Sequence, residues 1–162
     1  MKEISHNLFV GDQNDYERKV KGKEGWAIVH ACKEPYHREA LGYRGRGAPK
    51  SDPEYLIAER ENRLILNLID PDNPKYIPKK IIDETLQFID KILNKKKKVL
   101  VHCNKGQSRS PSIGLLYLAI NDQISNKSFY KARKEFVSIY PSYNPALGIE
   151  KFLINNWDEY CN

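Results

Sequence analysis

A cysteine and an arginine with five residues between them, Cys103 and Arg109 in HCNKGQSRS, are the side chains of this chain best suited to covalent chemistry. They lie within VLVHCNKGQSRSPSIG, residues 99–114, which reads as a buried strand ending at His102 and Cys103, a turn, and then a helix with Ser110 as cap and Pro111 at its first position. In such a turn the backbone N–H groups of Asn104, Lys105, Gly106, Gln107, Ser108 and Arg109 can converge on one point, and the helix directs its positive dipole end to the same place. The turn is expected to cradle an anion. A thiolate is stabilised there too, by the helix end, the oriented amides and nearby cations, so Cys103 is expected to act as a nucleophile at neutral pH. Arg109 adds a planar fork that can hold two oxygens of a phosphoryl group and follow them into the transition state. Gly106 permits a backbone approach that a side chain would obstruct.

The elements that must place these groups are legible as patterns. Three nearly continuous apolar runs, Trp26 to Cys32, Arg63 to Ile69 and Val99 to Cys103, read as strands covered on both faces. Helical periodicity follows in Ile81, Ile82, Thr85, Leu86, Ile89 and Leu93, with Pro78 suited to a first turn. Two later stripes, Phe129, Ala132, Phe136, Val137 and Tyr140, then Ile149, Phe152, Leu153, Asn156 and Tyr160, make the last third helical. The stretch from Lys33 to Asn62 is the least regular, and its centre, GYRGRGAPKSDP, reads as a basic loop. Asp52, Pro53 and Glu54 then look like the opening of a short helix reaching Glu61.

With 162 residues, 40% hydrophobic and 30% charged, the chain is expected to fold as one domain over residues 1–162. The net charge of +6 favours anionic partners such as phosphorylated substrates or nucleic acid. No apolar stretch approaches the length that crosses a bilayer and nothing at the start resembles a signal peptide, so a cytoplasmic protein is expected. The three cysteines, at 32, 103 and 161, are too few and too scattered for a disulfide framework or a CxxC metal pair.

HCNKGQSRS resembles the HCxxGxSRS loop of the dual-specificity branch of the cysteine-dependent protein tyrosine phosphatases. QFIDKIL before the loop, LLYL after it, the KARKEF helix and the PSYNPALGI turn follow that family's order over roughly residues 5–155. Low-molecular-weight phosphatases carry their loop at the N-terminus and rhodanese loops are shorter, so both fit less well. The resemblance implies an α/β fold, a central, mainly parallel sheet of four or five strands with helices on both faces and the site at the strands' C-terminal ends. It also implies a monomer that hydrolyses phosphorylated proteins or peptides through a phosphocysteine and needs no metal or other cofactor. Phosphoinositides or an RNA 5′ end are alternative substrates, to which Lys105 inside the cradle would contribute, and a phosphate-binding module without turnover is a further alternative. By resemblance, Cys103 attacks phosphorus, Arg109 and the loop amides hold the oxygens, Ser110 assists the departing sulfur and His102 orders the loop. The general acid is Asp70 or Asp72, with Asp70 preferred for its place at the end of the LILNLI run. Tyr43, Arg44 and Arg46 of the basic loop could contact substrate. Cys32, which ends a strand expected beside VLVHC, resembles the cysteine that rescues an oxidised nucleophile in some relatives, and as a small buried residue it is equally explained by packing.

Overall fold

The continuous apolar runs become strands because their side chains are covered from both sides. In the computed structural model, which describes residues 1–162, β1 (Lys2–Ser5), β2 (Leu8–Gly11), β3 (Trp26–His30), β4 (Ile57–Arg60), β5 (Arg63–Leu66) and β6 (Lys98–His102) form one sheet in the order β1-β2-β6-β3-β5-β4. The four inner strands run parallel, and β1 and β4 pair antiparallel at the edges. The α/β class and the mainly parallel sheet are those expected, and the sheet has six strands instead of four or five. The strands without a sequence signal are short. β1 and β4 are edges whose Lys2, Glu3 and Glu59 stay in water, which removes the unbroken apolar run of an inner strand.

The short helix expected from Asp52 to Glu61 does not form. Asp52 Oδ1 accepts from the Glu54 amide at 2.8 Å and the Asp52 carbonyl from the Tyr55 amide at 3.0 Å, so the cap signature is spent on a turn. The chain then extends, because Ile57–Arg60 can pair with Arg63–Leu66 across a two-residue hairpin turn in which Glu61 takes φ +50°.

Paired residues of neighbouring strands point to one face. Val10 and Val101 therefore share one side of the sheet, and Ile28, Leu100, His30 and His102 share the other. On the second side lie α1 (Gln13–Asp15), continued by a π-helical turn over Tyr16–Val20, and a similar turn over Lys33–His37 that runs into α2 (Arg38–Leu41). The first side is covered by α3 (Lys79–Asn94), α4 (Arg109–Ile120), α5 (Phe129–Ile139) and α6 (Leu147–Cys161), which pack on one another. α3, α5 and α6 present the faces their periodicity foretold, with differences at the margins: Leu86, Leu93, Asn156 and Tyr160 are half-buried, Val137 is exposed, and Trp157 enters the core. α4 is buried almost all round because it lies between the sheet and its neighbours. No helix is long and apolar enough to cross a membrane.

One contact ties the C-terminal helix to the segment after β5. Gly148, in the first turn of α6, lies so close to Pro71 that a Cβ there would collide with the Pro71 carbonyl. Gly148→Ala must therefore push the Asp70–Asp72 segment away. We expect a loss of about 1–3 kcal/mol in urea unfolding, the usual cost of overpacking, against less than about 0.5 kcal/mol for an exposed control such as Lys151→Ala.

Candidate active site

β6 and β3 run side by side, His30 opposite His102, and both end at the same edge of the sheet. Cys103 leaves β6 there, 2% exposed, its amide donating to the Gly11 carbonyl at 3.4 Å. The loop that follows folds back on the end of β2. Gly106 takes φ +67°, and a Cβ on it would stand 3.0 Å from the Gly11 carbonyl and 3.1 Å from the Asp12 nitrogen, so glycine is needed for both conformation and approach. The loop is held from outside. Tyr140 Oη donates to the Gly106 carbonyl at 2.7 Å, the Asn144 amide to the Gln107 carbonyl at 2.8 Å, and the Ala146 amide to Ser108 Oγ at 2.8 Å. The amides of Asn104 to Ser108 themselves donate to no carbonyl or side chain of the protein. Such amides are the donors an anion cradle requires.

α4 begins at Arg109 with Ser108 in the cap position, two residues ahead of the Ser110 cap foreseen from sequence, and the Ser108 hydroxyl makes no capping bond because it is engaged with Asp70 and Ala146. Ser110 instead sits in the first turn, its hydroxyl 3.2 Å from Cys103 Sγ and 3.0 Å from the Gly11 carbonyl. Its single proton can go to either. Arg109 donates from Nη1 to the Leu68 carbonyl at 3.0 Å and from Nη2 to Asn104 Oδ1 at 2.7 Å. Its Nε is buried without a hydrogen-bond partner.

An open cleft of about 360 Å³ is lined by Cys103, Asn104, Lys105, Gln107, Ser108, Arg109, Asp70 and Asn144. Asp70 reaches it from the end of the β5 segment, with Oδ1 accepting from Ser108 Oγ at 3.0 Å and Oδ2 3.9 Å from Arg109 Nε. Asp72 is exposed and is not among the lining residues. Neither are Tyr43, Arg44 and Arg46. Tyr43 packs under Arg38 and Lys33 and meets His37 Nδ1 at 3.1 Å, while Arg38 and Lys33 bind carbonyls of the same loop. The basic loop is thus knitted to α2.

The family model of the dual specificity phosphatase catalytic domain matches residues 48–144, more than half of the chain. The chain belongs to the dual-specificity phosphatase family. Solved structures share the fold at low identity. The human tyrosine phosphatase-like serine/threonine/tyrosine-interacting protein is 24% identical, with TM-score 0.69 over 100% of this chain and 98% of its own. Human DUSP28 is 17% identical, with TM-score 0.62 over 98% and 96%. PTPMT1 in complex with PI(5)P is 16% identical, with TM-score 0.60 over 98% and 94%. No curated protein sequence matches the chain.

Several supports of this phosphatase-family loop carried no local signal: Leu68 by its carbonyl, Tyr140 by its hydroxyl, and Asn144, with its amide on Gln107 and its place in the cleft wall. The PSYNP turn resembles a family feature in sequence, but its bonds to a loop more than 30 residues earlier are tertiary. Beneath the loop, His102 and His30 are fully buried, their rings enclosed by Tyr16 and Tyr36. Burial pushes His102 down to about 4, against a hydrogen bond to the Cys103 carbonyl that acts the other way. Burial, then the neighbouring His102 and Arg63, lowers His30 further. Cys32, also fully buried, is pushed up to about 12 by desolvation, eased by Arg109 and reinforced by Cys103.

Two histidines that stay neutral when folded and titrate near 6.5 when unfolded give the unfolded chain more bound protons below that pH, so stability must fall as pH falls. The loss from His102 spans about pH 6.5 to 4 and that from His30 continues lower. Urea unfolding at pH 5 should show the pair contributing about 2.7 kcal/mol per pH unit, two protons' worth. In His30→Asn the slope should be smaller by about 1.4 kcal/mol per pH unit, one proton's worth.

Proposed function

We propose that this protein hydrolyses phosphate monoesters of phosphorylated proteins or peptides through a phosphocysteine. The observation that carries the reading is the environment of Cys103: five loop amides without internal acceptors and a buried, unpartnered Arg109 Nε–H around one buried sulfur. These are donors suited to the oxygens of a phosphoryl group whose charge spreads in the transition state. The Cys103 thiolate attacks phosphorus, the ester P–O bond breaks, and Asp70, from across the cleft, gives its proton to the leaving oxygen. In the second step Asp70 takes a proton from water, the water oxygen bonds to phosphorus and the S–P bond breaks. The Ser110 hydroxyl then donates to the departing sulfur from 3.2 Å. Asn104 holds the guanidinium of Arg109 in place through Nη2, and the buried His102 steadies the Cys103 carbonyl.

Exposed Lys105 at the cleft mouth favours a second reading, in which the substrate carries more than one phosphate, a phosphoinositide or an RNA 5′-triphosphate end. A panel of phosphotyrosine and phosphothreonine peptides, inositides and triphosphate RNA separates these readings. Wild type should turn over the peptides and Cys103→Ser none of the panel. Asp70→Asn should lower kcat by about 10²–10⁴ on esters with poor leaving groups, and Asp72→Asn should change it by less than about twofold. Faster turnover of the inositides or RNA would transfer the assignment to them. Binding without turnover by wild type would leave a phosphate-recognition module.

We further propose that Cys32 is the redox partner of Cys103. Peroxide converts the Cys103 thiolate to a sulfenic acid, and the Cys32 thiol then condenses with it, forming an S–S bond and releasing water. After peroxide and then dithiothreitol, wild type should regain most of its activity and show a Cys32–Cys103 peptide by mass spectrometry. Cys32→Ser should lose recoverable activity several-fold faster. Equal recovery with no cross-linked peptide would assign Cys32 to packing alone.

A further inference from the structure

A line of buried polar groups runs from outside the signature loop to the nucleophile. Arg63, the first residue of β5, donates from Nε to His30 Nε2 at 2.9 Å. His30 Nδ1 and His102 Nε2 are 2.6 Å apart, and His102 Nδ1 is 3.3 Å from the Cys103 carbonyl oxygen. All four ring nitrogens are thereby used.

The direction of the whole line follows from its first member. A guanidinium has only donors, so His30 Nε2 must carry a lone pair. The proton of neutral His30 is then on Nδ1 and is donated to His102 Nε2. That nitrogen in turn must be unprotonated, which leaves the His102 proton on Nδ1, aimed at the Cys103 carbonyl. With the opposite tautomers, a lone pair of His102 would face the lone pairs of that carbonyl, and the bond would become a repulsion.

We propose that Arg63 and His30 are positioning residues for Cys103, fixing both imidazoles in the Nδ1–H tautomer so that the carbonyl beginning the phosphate loop is held by a donor. This rests on the reading of Cys103 as nucleophile. The carbonyl oxygen is a negative dipole end on the same residue as the attacking sulfur. A donor on it fixes the peptide plane and offsets that dipole, and a chain of bonds headed by a cation polarises each member in the same sense.

The surroundings leave the task to Arg63. Tyr16 stacks on His102 at 5.1 Å and Tyr36 on His30 at 4.1 Å, and neither hydroxyl bonds to an imidazole. The charged groups near the pair are Glu17, which accepts from Tyr36 Oη, Lys21 over the Tyr16 ring, and Asp12, none of which hydrogen-bonds either ring. Arg63 is half-buried and opens on a separate cleft beside Arg60 and Glu61. Its Nη1 and Nη2 bond to nothing in the protein, so the bond to His30 is the one hydrogen bond lost with the guanidinium.

Long-range proton–nitrogen NMR of the imidazole side chains, recorded at pH 7 on the full chain without substrate, reads the tautomers directly. Wild type should show both His30 and His102 protonated on Nδ1. Arg63→Met, which keeps the aliphatic stem, should move the His30 proton toward Nε2 and lower kcat on para-nitrophenyl phosphate about tenfold, with KM changed less than about twofold. Arg63→Lys, which restores a donor, should recover both readouts. A proton on Nε2 of either ring in wild type overturns the proposal, as does an Arg63→Met protein with unchanged tautomers or unchanged kcat. Should wild type hydrolyse no ester, the phosphatase reading fails separately, because the tautomer arm needs no turnover.

Discussion

The register of β3 against β6 is the constraint from which the rest of the site descends. Parallel pairing from Trp26 opposite Lys98 to His30 opposite His102 brings two chain segments to a common edge and sets two histidines side by side beneath it. It also settles the sides. Because successive residues of a strand alternate, His102 faces the tyrosine-lined layer and Cys103 lies toward α4. A slip of one residue would exchange the two and separate the sulfur from Ser110 and Arg109.

A loop that keeps its amides free for a ligand has to be held by its other groups. Here the carbonyls of Gly106 and Gln107 and the hydroxyl of Ser108 are held by Tyr140, Asn144 and Ala146, while Gly106 rests on the end of β2. The turn between α5 and α6 thus acts as a brace for a loop more than 30 residues earlier in the chain. The contact of Gly148 with Pro71 extends the brace to the segment that carries Asp70. Packing of the C-terminal helices and geometry at the cleft are in this way one problem.

Burial and charge work in opposite senses on the two sides of the sheet edge. Toward the tyrosine layer, desolvation keeps His30 and His102 neutral, which lets each act as donor and acceptor at once. Toward the cleft, Arg109, the helix end and the free amides favour negative charge, in a protein whose net charge is already +6. The neutral pair and the cationic cleft meet at a single peptide group, that between Cys103 and Asn104.

The sequence by itself determined three of the four inner strands, β3, β5 and β6, the helical third and the spacing of Cys103, Gly106, Arg109 and Ser110, because continuous burial, the 3.6-residue period and a loop of fixed length are local properties; β2, only four residues long, gave no such run. It did not determine the edge strands, whose solvent-facing residues break the apolar signal, or the fate of Asp52–Glu61, where a cap sequence serves a turn and a hairpin outweighs a helix. Nor could spacing alone separate Asp70 from Asp72. Two residues along an extended segment move a side chain by several ångströms, and only the tertiary placing of that segment, packed at Pro71 against α6, brings the Asp70 carboxylate to Ser108 and Arg109. The line from Arg63 through His30 to His102 was likewise invisible. Its members are 33 and 72 residues apart, and only a sheet that places β5, β3 and β6 side by side makes them neighbours.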